Sequence, residues 1–204
     1  KKSIKVLHVV HWPVSGIVTL FKNIIILMPK DQIESHVIFF YNDNNTNSDF
    51  TGICSSVQCL NLSDSYIRGI FRYRRFLKEI SPDIIHTHSF QPMVWNSLLG
   101  SWKSKHICTI HNDYPYFTQK NLRAVFKRTV QKVFLKIFKI RVVAVSKQIF
   151  SVMLKMGVQS ENLFLIENGT SLKEHNLGKE SLAMVRKELG VGPSDISIIT
   201  LGRL

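Results

Sequence analysis

The chain has 204 residues and a formal net charge of +13 at pH 7, and 45% of its residues are apolar and 20% charged. This balance is typical of a globular protein and excludes a disordered one, and no apolar stretch approaches the roughly 18 residues of a transmembrane helix. The excess of Lys and Arg predicts an anionic partner, which is nucleic acid, an acidic membrane surface or a phosphorylated substrate.

The cysteines and the first residues indicate a cytosolic protein. Cys54, Cys59 and Cys108 form no Cys-x-x-Cys pair and have no histidines at zinc spacing. We therefore expect reduced structural thiols and no metal site. The sequence begins directly with a strand pattern and lacks the layout of a secretory signal peptide, which predicts a cytoplasmic location.

The first predicted elements are a buried strand, a loop and a helix. Residues 4–10 are mostly apolar, and residues 17–28 are predicted to form a helix that ends before Pro29. Gly16 lies just before this helix and has two interpretations. It either lets a phosphate or sugar approach the N–H groups of the helix N-terminus, or it serves a tight turn.

Two further strands are predicted at residues 36–41 and 57–60, on either side of a polar loop at 42–52. A helix follows at residues 65–80, with basic residues interleaved among the apolar ones. Arg68, near its beginning, either binds a substrate phosphate through two hydrogen bonds or lies on a solvated basic face.

Histidines follow the next two predicted strands. A short strand at residues 84–86 continues into Thr87 and His88, and a strand at 107–110, after a helix at 91–102, ends at His111, Asn112 and Asp113. Ligands bind at the carboxyl ends of parallel strands, so these side chains are candidates for a binding edge. The alternatives are a structural hydrogen bond for His88 and a solvated loop position for His111. His111 and Asp113 are too few for a metal site.

A long basic helix is predicted from Thr118, as its cap, to about Lys139. Apolar residues at helical spacing predict a stripe packed on the sheet, with a basic face opposite it. The stripe comprises Leu122, Val125, Phe126, Val130, Val133, Phe134, Ile137 and Phe138. The basic face comprises Lys120, Arg123, Lys127, Arg128, Lys132, Lys136 and Lys139.

The basic face has three possible environments: water, anionic lipid headgroups, or nucleic acid. Headgroups attract each nearby Lys or Arg by about 1 kcal/mol, whereas no RNA-binding signature or helix-turn-helix layout supports nucleic acid. We expect electrostatic docking on lipid by the polar face, with aromatic help from Tyr114, Tyr116 and Phe117. The expected membrane contacts are Arg123, Lys127, Arg128, Lys132 and Lys136.

A strand, a helix and a second strand follow within residues 141–169. Residues 142–145 are an apolar run, Ser146 is the expected N-cap of the helix, and Gly157 is the expected stop. A second run at 163–166 leads to Asn168 and Gly169. A right-handed βαβ unit places Ser146 and Asn168 at the same edge of a parallel sheet.

The chain ends with a predicted helix at 180–189 and a strand at 196–201, followed by Gly202, Arg203 and Leu204. We therefore predict a doubly wound, mainly parallel α/β domain of the Rossmann-like type at residues 1–172. Residues 173–204 are predicted to be a linker and the start of a second such domain.

Several of these motifs, in this order, resemble the N-terminal, acceptor-side domain of retaining GT-B glycosyltransferases of the large family 4 type. The motifs are Ser15-Gly16, Pro82-Asp83-Ile84-Ile85-His86-Thr87-His88, Thr109-Ile110-His111, the βαβ unit ending in Asn168-Gly169, and a strand followed by Gly202-Arg203-Leu204. The resemblance covers essentially the whole chain.

The resemblance implies transfer of a hexose or N-acetylhexosamine from a UDP- or GDP-sugar, with retention and without a metal or other cofactor. The acceptor would be a lipid-linked or cell-envelope glycan at the inner face of the plasma membrane. His111 would be catalytic, and His88 rather than the more buried His86 would be functional. The implied acceptor-binding residues are Gly16, Arg68, His88 and Asn112, and the implied donor-binding residues are Ser146, Asn168, Gly169 and Arg203.

The family's paired glutamates, which bind the donor, are expected beyond residue 204, so this chain alone is expected to be inactive. Two other functions are compatible with the sequence. One is a nucleotide-sugar 2-epimerase of the GT-B fold, and the other is a non-enzymatic basic module that binds anionic lipid or nucleic acid.

Overall fold

The computed structural model describes residues 3–13, 16–41, 50, 52–101, 103–112, 119–169, 179–192 and 195–196. The chain divides into two compact units, Lys1–Gly169 and Thr170–Leu204. Every described strand belongs to the first unit. The predicted domain boundary after residue 172 stays a prediction, and the predicted strand at 196–201 lies, apart from Ile196, outside the described residues.

The described strands form one sheet, and helices connect them. The strands are β1 (Ile4–Val10), β2 (Ile33–Phe39), β3 (Ser56–Cys59), β4 (Ile84–His88), β5 (Lys105–Ile110), β6 (Arg141–Ala144) and β7 (Leu163–Leu165). The α-helices of the first unit that the structure describes with their bounds are α1 (Gly16–Leu27), α2 (Tyr66–Ile80), α3 (Phe90–Leu99), α4 (Leu122–Ile137) and α5 (Lys147–Lys155). The second unit contains α6 (Lys179–Glu188).

The sheet has seven strands in the order β3-β2-β1-β4-β5-β6-β7, and every pairing is parallel. The chain builds outward from β1 to β3, returns through α2 to β4 beside β1, and then builds outward in the other direction. This reversal makes the fold doubly wound and places a topological switch point between β1 and β4. The predicted Rossmann-like α/β class is confirmed.

Alternate residues of the strands pack against helices on opposite faces of the sheet. Val37 and Phe39 of β2 pack with Phe21 and Ile25 of α1. Ile38, their neighbour in the strand, instead packs with residues of α2. Successive side chains of a strand point to opposite faces, so α1 and α2 cover different faces. Strands buried on both faces explain the nearly continuous apolar runs in the sequence.

The helices after β4 lie on the same face as α2. Met93 of α3, Leu135 of α4 and Met153 of α5 pack with Cys108 and other residues of β5 and β6. Cys108 of β5 is in register with Thr87 of β4, so both side chains point to the same face. Ile85, two residues before Thr87 and therefore on that face as well, packs with α2. Four helices therefore share one face, which we call the four-helix face, and α1 lies on the other, which we call the α1 face.

Local signals placed several element ends correctly. Ser146 caps α5, because its Oγ accepts a hydrogen bond from the backbone N of Ile149 at 3.2 Å, and Gly157 follows the helix with φ of +84°. The predicted cap of the basic helix is wrong in position, since α4 begins at Leu122 and its cap is Asn121, whose Oδ1 accepts from the N of Ala124 at 2.8 Å. Thr118 lies outside the described residues.

The predicted packing of α4 is wrong for much of the apolar stripe, although Phe134 and Phe138 do pack against the core. Leu122, Phe126 and Ile137 of the apolar stripe are 88%, 69% and 66% exposed, and the buried residues are Ala124, Gln131 and Leu135. Apolar side chains occupy more than half of the circumference of α4, and only one arc can face the sheet. The side of α4 that contains the small Ala124 faces the sheet, and much of the apolar stripe is therefore exposed to solvent. Among the described residues, no helix is both long enough and apolar enough to cross a bilayer.

Candidate functional site

Five of the predicted site residues follow the carboxyl ends of strands. Gly16 begins α1 after β1, His88 ends β4, His111 follows β5, Ser146 follows β6 and Asn168 follows β7. All these strands are parallel, so their carboxyl ends form one edge of the sheet. The topology therefore brings these residues to the edge at which open α/β sheets bind ligands.

Four histidines cluster on the α1 face near the switch point. His8 of β1 is in register with His86 of β4, and His88 lies two residues further along the same face. His8 Nδ1 is 3.4 Å from His88 Nε2, and His88 Nδ1 is 3.0 Å from His111 Nε2. These contacts form a chain of imidazoles from the interior to the edge, and we call His8, His88 and His111 the histidine chain.

The surroundings of the histidine chain are apolar and exclude solvent. The side chains of His8 and His88 are only 1% and 2% exposed. Phe21 of α1 lies over both, with ring centroids 5.9 Å from His8 and 5.3 Å from His88. His111 is only partly buried, so it is the member of the chain that a ligand at the edge can reach.

Burial lowers the pKa of each histidine in the cluster. Desolvation, with a smaller contribution from His36, lowers the pKa of His8 to about 4. Desolvation also lowers the pKa of His111 to about 4. The pKa values of His86 and His88 lie well below the usual value, first through desolvation and then through repulsion among the histidines. All four imidazoles are therefore neutral at pH 7, and each offers one N–H and one lone pair.

The cluster has the spacing of a metal site, but both ring nitrogens of His88 and one of His86 already have partners. His8, His86 and His88 each offer a ring nitrogen within 4.8 Å of the others. Both nitrogens of His88 face another imidazole, and His86 Nε2 lies 2.7 Å from Thr109 Oγ1. The cluster is therefore better described as hydrogen-bonded side chains than as a set of metal ligands.

The burial of the two histidines of β4 is the reverse of the expectation. His88 was expected to be accessible and His86 buried, whereas His88 is 2% exposed and His86 is half-buried. Strand pairing does not separate the two, because His86 is paired with both β1 and β5. Phe21 of α1 covers His88, with ring centroids 5.3 Å apart. The acceptor-binding role of His88 stays a prediction.

Several of the remaining predicted residues follow the carboxyl ends of strands at the same edge. A Cβ at Gly16 would meet no atom of the described residues within 4 Å. Asn112 is exposed beside His111, and Asn168 and Gly169 are exposed after β7. Arg68 is exposed in the first turn of α2, where its backbone N donates to Ser65 Oγ. Arg203 lies outside the described residues.

Sequence reasoning missed His8 and a group of aromatic rings at this edge. Trp12 follows β1 and stacks on Tyr41, which follows β2, with ring centroids 4.3 Å apart and planes at 15°. His11 packs edge-on against Tyr41 at 5.1 Å, and Trp12 is 49% exposed. The available signal was that aromatic residues directly follow two neighbouring strands, and that His8 interrupts an apolar run.

Comparison with known proteins identifies the family. The sequence model of Glycosyltransferase Family 4 matches residues 14–174. A glycosyltransferase from Rickettsia africae ESF-5 has a similar structure, with a TM-score of 0.71 and 20% identity, over 95% of this chain and 51% of that one. HepE from Anabaena, in complex with UDP and glucose, has a TM-score of 0.68 and 16% identity, over 92% and 50%.

An enzyme of another activity is also similar in structure. UDP-N-acetylglucosamine 2-epimerase from Rickettsia bellii has a TM-score of 0.58 and 9% identity, over 93% of this chain and 48% of that one. This chain thus spans about half the length of the solved structures that it matches. No curated protein matches its sequence.

The family match and the architecture agree. The match covers more than half of the chain, and the parallel sheet with its switch point is shared with solved GT-B glycosyltransferases. The resemblance seen in the motifs is therefore confirmed, and this chain belongs to glycosyltransferase family 4.

Proposed function

We propose that the complete protein containing this chain transfers a hexose or N-acetylhexosamine from a UDP- or GDP-sugar to a glycan acceptor, with retention of configuration. The observation that carries the proposal is the position of His111. It is a neutral, partly buried imidazole at the carboxyl end of β5, close to the switch point of a family 4 chain. The nucleotide sugar is the substrate, and no further cofactor is part of the proposal.

The neutral state of His111 suits sugar transfer. Positive charge develops on the sugar ring as the glycosidic bond breaks, and a cationic imidazole at that point would oppose it. A neutral imidazole instead binds sugar hydroxyls by hydrogen bonds without that repulsion. Because burial keeps the pKa of His111 at about 4, this state persists across the physiological pH range.

The other edge residues are assigned in the proposal to the two substrates. Ser146, Asn168, Gly169 and Arg203 bind the donor. Gly16, Arg68 and Asn112 bind the acceptor, and His88 contributes to the acceptor side through His111. The N-terminus of α5 supports the donor assignment, since helix N-termini attract phosphate groups. Stabilising a departing diphosphate requires several such donors in place before reaction.

We also propose that the acceptor is a lipid-linked or cell-envelope glycan and that the protein docks, from the cytoplasm, on the inner face of the plasma membrane. The outward surface of α4 supports this placement. Leu122, Phe126, Val133 and Ile137 are exposed along one side of the helix, and spacing of three or four residues keeps such positions together. We call these four residues the apolar row.

Basic residues flank the apolar row on both sides. Given 100° per residue, Lys132 and Lys136 fall on one side of the row and Arg123 and Lys127 on the other, and all four are exposed. An apolar row between cations fits the boundary between acyl chains and anionic headgroups. The expected docking by the polar face alone is therefore revised, and the apolar row enters the headgroup region.

A second helix of the four-helix face also carries exposed apolar and basic residues. On α2, Ile67 and Phe71 are 68% and 69% exposed, and Arg74, Arg75 and Lys78 are exposed further along. Both helices belong to the four-helix face, so the membrane meets one side of the sheet. The carboxyl edge remains open to the donor in this arrangement.

The experiment is a turnover assay of the complete protein. UDP- and GDP-linked hexoses and N-acetylhexosamines are offered with lipid-linked acceptors in anionic vesicles, and released nucleotide and glycosylated lipid are both measured. Replacing His111 by Ala should lower kcat by on the order of a hundredfold, because one preorganised hydrogen-bond donor is lost. The control is His106→Gln. His106 hydrogen-bonds Thr87, which is in register with Cys108 on the four-helix face. His106 therefore lies on the side of the sheet opposite the histidine chain.

Two outcomes would replace the proposal. Conversion of a nucleotide sugar to its C2 epimer without an acceptor would assign the epimerase function, which the fold shared with the Rickettsia bellii enzyme also permits. Salt-sensitive binding to lipid or nucleic acid, without turnover of any nucleotide sugar, would assign a non-enzymatic basic module.

A further inference from the structure

The histidine chain allows only two arrangements of its protons. Each neutral imidazole has one N–H, and each contact between two rings needs one donor and one acceptor. His88 uses both nitrogens, Nε2 toward His8 and Nδ1 toward His111. Its single N–H therefore points either inward to His8 or outward to His111, and this choice fixes the other two rings.

The interior end of the chain decides the direction. Among the residues that the structure describes, the buried His8 Nε2 has no hydrogen-bond partner. The inward arrangement would place an N–H on this atom, whereas the outward arrangement leaves only a lone pair there. Buried N–H groups without an acceptor are rarer than acceptors without a donor, so the outward arrangement is favoured.

We propose that His88, held in turn by His8, is a positioning residue that fixes His111 as the Nδ1–H tautomer and directs that N–H to the sugar substrates. This inference rests on the proposed function for the identity of the ligand. His8 Nδ1–H donates to His88 Nε2, and His88 Nδ1–H donates to His111 Nε2. Among the described residues, Nδ1 of His111 has no partner, so its N–H is available at the edge.

The sequence predicted catalysis for His111 and acceptor binding for His88, and the proposal changes the task of His88. His88 is closed off by Phe21 and by its two imidazole neighbours, so it acts through His111 and does not touch the acceptor. His111 donates one hydrogen bond and cannot accept a proton at Nε2 while His88 donates to that atom. His111 is thus a hydrogen-bond donor to the sugars and not a general base.

The direct test is the tautomer of each histidine in the 204-residue chain, measured at pH 7 by long-range proton–nitrogen NMR correlation. His8, His88 and His111 should all be Nδ1–H tautomers. This outcome is informative, because free histidine in water prefers the Nε2–H form. An Nε2–H or doubly protonated His111 at this pH would overturn the proposal.

A matched pair of substitutions separates positioning from packing. An Asn side chain carries its amide nitrogen near the position of imidazole Nδ1, whereas Gln carries it near Nε2. His88→Asn should preserve donation to His111, and His88→Gln should preserve only the contact with His8. We expect the Nδ1–H signal of His111 in His88→Asn and its loss in His88→Gln. The reverse result, or equal behaviour of the two variants, would contradict a positioning role.

Turnover by the complete protein gives a second readout. His88→Gln should lower kcat by on the order of tenfold or more with a smaller change in KM, and His88→Asn should restore most of it. Equal losses in both variants, with the tautomer of His111 unchanged, would mean that His88 contributes packing only.

The remaining controls concern metal and function. Zinc ions added to the chain should leave the three Nδ1–H signals in place, and their loss on titration would mean that the cluster is a metal site instead. The tautomer measurement needs no substrate. A correct tautomer in a protein that transfers no sugar would overturn the proposed function and leave the positioning role standing.

Discussion

Tyr73 illustrates how a single buried polar group ties two helices together. It lies on α2, is fully buried, and donates its hydroxyl to Asn96 Oδ1 on α3 at 2.8 Å. Burial raises the pKa of Tyr73 above its usual value. Tyr73→Phe should lower the free energy of unfolding by about 1–3 kcal/mol, because a buried acceptor loses its donor.

Urea denaturation measures this loss, and Tyr66→Phe is the matched control. Tyr66 is on the same helix but is 59% exposed, and its hydroxyl is 3.5 Å from that of Tyr41. Its replacement should change the free energy of unfolding by less than about 0.5 kcal/mol. Equal effects of the two substitutions would show that the Tyr73 bond is energetically unimportant.

At the scale of the element, the start of α5 carries a helix cap and, in the proposed function, part of the donor site. Ser146 Oγ already accepts the N–H of Ile149, so its hydroxyl oxygen serves the helix. Ser146→Ala should lower the free energy of unfolding by about 1 kcal/mol, and Ser146→Asp should retain the cap.

The aspartate variant distinguishes the two requirements. Its carboxylate caps the helix but repels a diphosphate, so the KM of the complete protein for the nucleotide sugar should rise while stability is kept. If Ser146→Asp leaves that KM unchanged, the donor does not bind near the N-terminus of α5.

The apolar row of α4 gives a prediction about binding without a change in stability. Leu122 and Phe126 are largely exposed, so Leu122→Ser with Phe126→Ser should hardly change the free energy of unfolding. The partition coefficient onto phosphatidylglycerol vesicles should fall by on the order of tenfold, because the variant buries less apolar surface in the lipid. Cosedimentation measures the partition.

The matched control removes apolar residues from the α1 face. Ile26 and Leu27 of α1 are 48% and 83% exposed, and replacing both by Ser should leave vesicle binding unchanged. Binding to neutral phosphatidylcholine vesicles should be weak for every variant, because the flanking cations then have no anionic partner. Equal losses for the α1 and α4 variants would reject docking through α4.

At the scale of the whole molecule, the neutral buried histidines make the fold sensitive to acid. Burial lowers the pKa of His8 and of His111 to about 4, whereas the same groups in the unfolded chain take up protons near pH 6.5. Between these values the unfolded state binds more protons. The free energy of unfolding should therefore fall as pH drops from about 6.5 to about 4, by up to about 1.4 kcal/mol per pH unit for each group.

Urea midpoints measured across this pH range test the effect. His8→Phe removes one such group and keeps an aromatic ring beside Phe21, so its midpoint should fall less steeply with acid. A midpoint independent of pH between 7 and 4 would show that the histidines titrate alike in both states.

The sequence was sufficient for the architecture and for bringing the candidate site residues to one edge of the sheet. Periodicity and caps such as Ser146 are local signals, and parallel connections then follow from chain geometry. It was insufficient for the histidine chain and for α4. The contact of His8 with His88 depends on the register of β1 and β4, and the buried arc of α4 depends on its neighbours. No local sequence pattern predicts either of these contacts.

The return of the chain through α2 to the middle of the sheet has a consequence for folding. His8 and His88 are 80 positions apart, and they meet only when β4 docks beside β1. Closing so long a loop is slow compared with forming a helix or a neighbouring strand pair. The imidazole contact should therefore appear late in refolding, and a partly folded chain with most of its helices already formed would still have no assembled site.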